Sequence, residues 1–235
     1  MEETLNRLVK DLENACEDKL VSIVLYGSAA SGEYHARSSD LNVLCVLTEI
    51  RADLLRRVER AIHWFQLKGN PPPLLFTIEE IKDGSDVFPI EFLDMRENHR
   101  VLKGRDVLVD LEIHRENHRL ELEHELRTKY LGLRQNYLAT GHRSQAISDL
   151  ICRSLPAFIT FFRHILLLMG EKVSLNKHEV LRVFCAKAGL DEPLFLELLS
   201  ARESGKVVPE ADSRFARYLE ELAKTIRLVD RLPKS

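Results

Sequence analysis

The feature that most constrains the fold is a change of pattern near residue 110. Before it, apolar residues alternate between strand-like and helix-like spacing, and after it only helical spacing remains. Leu5, Leu8, Val9 and Leu12 recur at helical intervals. Leu20 to Tyr26 is apolar and β-branched and stops at Gly27, as a strand does on entering a tight turn. The run LNVLCVL predicts a second strand, and Ala52 to Leu67 a helix that ends before Gly69, Asn70 and three prolines. PLLFTI and FPIEFLDM predict two further strands, separated by the polar stretch EEIKDGSDV. Helical patterns then occupy 114–140, 143–169, 177–188, 192–203 and 212–232, with Gly141, Gly170 and Gly189 where C-terminal caps fall.

Strands alternating with helices, followed by helices alone, give an α+β chain. The expectation is a small mixed sheet flanked by helices over residues 1–110 and an all-helical C-terminal domain over 111–235. A chain of 235 residues can hold two such cores, and 45% hydrophobic with 30% charged residues excludes a disordered polymer. The formal charge of -3, from 34 basic and 37 acidic side chains, provides no field to gather a polyanion, so nucleic acid is not the expected partner. Cys16, Cys45, Cys152 and Cys185 lie far apart without paired spacing, which argues against a zinc site or disulfide framework and fits the reducing cytoplasm. The N-terminal MEETLNRLVKDLENAC is a charged amphipathic helix and not an export signal. Leu150 to Met169 is the most apolar stretch, but Arg153, Pro156, Arg163 and His164 interrupt it; a buried bundle helix is expected there, and no membrane span.

The stretch LYGSAASGEYHARSSDLNVLCVL carries the chemistry. One strand ends in Gly27-Ser28, and another opens at Asp40 after eleven intervening residues. Small residues let the backbone approach a ligand closely, and a helix starting at Ser28 would offer free N–H groups to phosphate oxygens. Asp40 and Asn42, two apart on one strand, are expected on the same face of the sheet. Hard divalent cations take oxygen ligands of this kind together with substrate phosphates.

These residues resemble the nucleotidyltransferase superfamily that includes DNA polymerase beta and the aminoglycoside nucleotidyltransferases. Its mark is a Gly-Ser turn, a gap of this length, then acid, apolar residue and acid within a strand. Gly27, Ser28, Asp40 and Leu41 match, and Asn42 stands where the second acid belongs. The third acid sits on a neighbouring strand in that family. FPIEFLDM offers Glu91 or Asp94, three apart and hence on opposite faces of a strand, with Glu91 preferred for its mid-strand position. The resemblance implies catalytic Asp40 and Glu91; a magnesium site of Asp40, Asn42 and Glu91; and nucleotide contacts from Gly27, Ser28, Arg37 and Asn42. It further implies a nucleoside triphosphate as substrate or ligand, transfer of the nucleoside monophosphate to a hydroxyl of a small molecule or protein, and an accessory role for the helical half. A homodimer is allowed. Asparagine brings no charge and cannot bridge two cations, so binding survives its presence more easily than transfer does. A working transferase, a degenerate nucleotide-binding regulator and an interaction module without nucleotide all stay open.

Other polar residues have plainer readings beside the functional ones. Arg37, Lys103 and Arg105 could reach triphosphate oxygens. Glu91 could equally pair with Arg96 or Arg100. Arg119 and His124 have an Arg-to-His spacing found in helical ribonucleases, which chance also explains in a chain with 9 histidines. Tyr130, Arg134, Tyr137, His142 and Arg143 could line an acceptor cleft or form the polar face of a helix. Phe158, Phe161 and Phe162 are expected in the bundle core.

Overall fold

The computed structural model describes residues 1–30, 40–172 and 175–233. The chain divides into two compact units, Met1–Asn117 and His118–Ser235. In the first, chain order is α1 (Glu2–Cys16), β1 (Leu20–Tyr26), β2 (Asn42–Leu47), α2 (Ala52–Leu67), β3 (Leu74–Thr77), α3 (Ile78–Gly84), α4 (Pro89–Glu97) and β4 (His99–Gly104). The strands form one mixed sheet in the order β3-β2-β1-β4. β1 pairs antiparallel with β2 and β4, and β3 lies parallel to β2. A parallel pair needs a long crossover, and α2 supplies it.

β1 and β2 read as continuous apolar runs because both faces of the sheet are covered. On one face Ile23, Leu25, Val43, Cys45 and Leu47 pack with Leu5, Leu8 and Leu12 of α1 and with Leu54, Val58 and Phe65 of α2. On the other, Val24, Leu44 and Val46 pack with Ile81 of α3, Phe92 and Met95 of α4, and Leu108 and Leu111 beyond β4. Each fully buried side chain of this size contributes about 1.5–3 kcal/mol.

Two local expectations are overturned. FPIEFLDM is helix α4 and not a strand. Pro89 occupies its first turn, where a missing N–H costs nothing, and Pro89, Ile90, Phe92 and Met95 are the buried residues. The polar stretch before it contains α3, opened by a capping box: the Glu80 N–H donates to Thr77 Oγ1 at 3.1 Å and the Thr77 N–H to the Glu80 carboxylate at 2.7 Å. The fourth strand is instead HRVLKG, an edge strand carrying His99, Arg100 and Lys103.

In the second unit the helices are α5 (Arg115–Leu138, which begins just before the boundary), α6 (Ser144–Leu168), α7 (Lys177–Ala188), α8 (Glu192–Ser204) and α9 (Ala211–Arg231). α6 is central, its Phe162 stacked on Phe184 at 4.4 Å and edge-on to Phe195 at 5.3 Å. By length and composition α6 could cross a membrane, yet 61% of its apolar window is buried. Pro156 cannot donate to the Cys152 carbonyl one turn earlier, and the Arg202 guanidinium donates to that carbonyl at 2.7 Å instead.

Candidate functional site

The turn after β1 organises the candidate site. Gly27 has φ +78°, a left-handed conformation costly for other residues, and its N–H donates to the Asn98 carbonyl at 2.9 Å. A Cβ at this position would meet Asn42 Nδ2 at 3.4 Å, so the asparagine amide lies against the turn. Ser28 continues the turn, and the Ala30 N–H closes it onto the Gly27 carbonyl at 2.9 Å. The ladder of β2 begins at Asn42. Asp40 therefore stands outside the strand as an exposed carboxylate, and buried Leu41 between them bonds through its N–H to Asn70 Oδ1 at 3.2 Å.

Register places three polar side chains in one row. Tyr26 faces Asn42 on one side and His99 on the other, and directly opposed residues share a face of the sheet. Among the described residues neither the Asn42 amide nor the Tyr26 hydroxyl has a hydrogen-bond partner. Burial pushes the Tyr26 phenol above its ordinary range, and the charge of Glu91 adds to this, which sets that carboxylate within electrostatic reach of the row. Glu91 itself is exposed in the first turn of α4, and Asp94 is half-buried three residues on. On a helix, three apart means one side and not opposite faces.

His99 sits between two acceptors: its Nδ1 is 3.0 Å from the Arg96 carbonyl and its Nε2 is 2.9 Å from Asp106 Oδ2. Both ring nitrogens are thus engaged. Burial acts upward on the Asp106 carboxyl, but the His99 hydrogen bond and the Leu108 and Val109 N–H groups outweigh it and hold the carboxyl below its ordinary value.

The described residues do not supply the acids of a two-magnesium centre. No strand of the sheet carries an aspartate or glutamate. On β3, the neighbour of β2, the positions registered with Leu44 and Val46 are Leu74 and Phe76. Among the described residues no three of His, Cys, Asp and Glu gather as metal ligands. Among the described residues Asp40 and the neutral Asn42 oxygen remain, with Glu91 held on a helix. Arg37 lies outside the described residues. The Lys103 ammonium is paired with Glu13 at 2.5 Å, and the Lys103 and Arg105 carbonyls accept from Ser22 Oγ.

The whole architecture is similar to a solved structure, spectinomycin adenyltransferase AAD(9) from Enterococcus faecialis with ATP and spectinomycin. The TM-score is 0.57 at 14% identity, over 95% of this chain and 99% of that chain. The chain has a nucleotidyltransferase fold. No protein-family model and no curated protein matches it. At this identity the likeness carries the fold and not the chemistry. The nucleotidyltransferase fold brings Gly27, Asn42 and Tyr26 together while its sheet offers no acid.

Sequence reasoning missed Tyr26 and His99. Tyr26 reads as the last apolar residue of a strand, and His99 lies on an edge strand too polar to show a pattern. In the helical unit, Arg119 is buried, with Glu123 at 3.2 Å and the Val229 carbonyl at 3.2 Å, whereas His124 is exposed, so the two do not converge. Tyr137 stacks on Phe215 at 4.3 Å and donates to Asp212, with His142 Nδ1 at 3.4 Å from its hydroxyl. Arg143 donates to the Thr140 carbonyl. Phe158, Phe161 and Phe162 are buried, as the aromatic spacing predicts.

Proposed function

We propose that this chain binds a nucleoside triphosphate against the Gly27-Ser28 turn and does not transfer its nucleotidyl group. The observation that carries the reading is the polar row beside the turn. Among the described residues Asn42 and Tyr26 present unpaired donors there, where in-line transfer requires acids to hold cations on both the entering and leaving oxygens. Donors of this kind suit phosphate oxygens, and the glycine leaves room for their approach. Magnesium enters only as the counter-ion of the triphosphate, with Asp40 the acid that precedes β2. The neighbouring fold was solved with ATP and a small molecule, which supports nucleotide as one ligand and a small molecule, ahead of a protein, as a second. The proposed location is the cytoplasm, on the spacing of the four cysteines.

The test is thermal unfolding with each nucleoside triphosphate, with and without magnesium, beside an assay for pyrophosphate release. A nucleotide-dependent rise in melting temperature that Asp40→Ala and Asn42→Ala reduce, with no pyrophosphate released, is the expected result. Steady pyrophosphate release by the unaltered chain would return it to the working transferases. Absence of any shift would leave the interaction-module reading.

A further inference from the structure

The groove between α5 and α9 belongs to the helical unit and shares no residue with the proposed nucleotide site. Tyr130 and Leu131 of α5 and Ala223 and Ile226 of α9 supply its apolar lining, and the open groove has a volume of about 360 Å³. Each helix contributes residues at i, i+3, i+4 and i+7, a spacing that sets them in stripes along one side. The lining is not sealed from water: Leu131 is 54% exposed. A volume of this size and an apolar lining match a small-molecule site better than a protein interface.

Charge at the rim selects the ligand. Arg127 is engaged, its guanidinium bonded to Glu123 at 3.2 Å and to Asp230 at 2.5 Å. Arg134 and Arg227 are different. Among the described residues neither has an ion pair or hydrogen bond, and Arg134 reaches only the Tyr130 ring, at 5.9 Å. Asp230 is the one acid of the lining and is taken by Arg127. The groove therefore offers two uncommitted guanidinium groups over an apolar lining in a chain whose net charge is -3.

We propose that the α5–α9 groove is a binding site for a small organic anion with an apolar body, a carboxylate or sulfonate on an aliphatic or aromatic group. Arg134 and Arg227 hold the acid group through charge-assisted hydrogen bonds, and Tyr130, Leu131 and Ile226 cover the body.

The experiment uses the fluorescent anion anilinonaphthalene sulfonate with the full chain, displaced in turn by octanoate, by octylamine and by an acidic amphipathic helical peptide. Saturable binding that octanoate displaces and octylamine does not, with an affinity about tenfold lower in the Arg134→Ala/Arg227→Ala variant, is expected. Equal displacement by octylamine would reduce the site to a greasy surface and overturn the proposal. Displacement by the peptide alone would overturn it in favour of a protein partner, and so would wild-type affinity in the double variant or no saturable binding. The octanoate and octylamine comparison needs no variant, so it stands whether or not the substitution is tolerated.

Discussion

Two glycines with nearly the same backbone torsion separate conformational from steric constraint. Gly27 and Gly104 have φ +78° and +79°, so alanine carries a similar backbone cost at each, about 1–2 kcal/mol. At Gly27 the added Cβ would meet a side-chain amide at 3.4 Å, but at Gly104 it would lie 2.0 Å from the Val21 carbonyl oxygen. That oxygen belongs to the central strand and cannot move aside alone. In urea denaturation Gly27→Ala should cost close to the backbone term, and Gly104→Ala about 3 kcal/mol or more. Similar losses at both would mean that β4 shifts easily. Asn42 invites the complementary substitution. Asn42→Asp adds a carboxylate beside the turn, yet β3 still offers Leu74 and Phe76, so pyrophosphate release is not expected to appear. The new charge should instead make nucleotide binding depend on magnesium, read as a melting-temperature shift seen with the cation and lost in chelator. Pyrophosphate release by this variant would mean that only one acid was missing.

At the scale of elements, His99 ties three pieces together: β4, the end of α4 through the Arg96 carbonyl, and the following loop through Asp106. The Asp106 carboxyl titrates below its ordinary value in the folded chain. A group depressed in this way contributes stability that is present above its unfolded pKa, about 3.9, and lost as pH falls through the folded value. The Asp106 side chain is 35% exposed, so water screens the pair and the contribution is no more than about 1 kcal/mol. Asp106→Asn should thus be less stable than the unaltered chain at neutral pH, and the gap in urea midpoint should close below the carboxylate range. A gap that persisted there would assign the effect to packing. These same elements show what the sequence could and could not give. β1 and α2 have clear stops, so their limits were legible, whereas β2 begins at Asn42 and leaves Asp40, expected on the strand, outside it. α4 was not, because Ile90 and Phe92 alternate like a strand for a few residues and the helix is apolar on more than one side. α3 carried a usable signal in Thr77 and Glu80, the capping box. The turn and Asn42 could be found from spacing, but the row Asn42–Tyr26–His99 exists only through strand register, which single-sequence periodicity does not report.

At the scale of the whole molecule, each unit closes a core of its own: the sheet of Met1–Asn117 buries both faces against its own helices, and His118–Ser235 packs around α6. Chains built this way depart from two-state unfolding, and ligands specific to one core stabilise that core alone. Trp64 is the single tryptophan and lies in α2, so selective tryptophan excitation reports the first unit only. ATP at about 100 times its dissociation constant adds roughly 2.7 kcal/mol to the state that binds it, which for a unit of this size is on the order of 10 °C. That shift should appear in the tryptophan melt. Octanoate should leave the tryptophan melt in place and raise the transition seen by far-ultraviolet circular dichroism, where helices dominate. If both ligands moved both signals together, the units would unfold as one cooperative body, and neither ligand could be assigned to its site by stability alone. Independent shifts would locate the nucleotide in the sheet-bearing unit and the organic anion in the helical one, without reference to any relative.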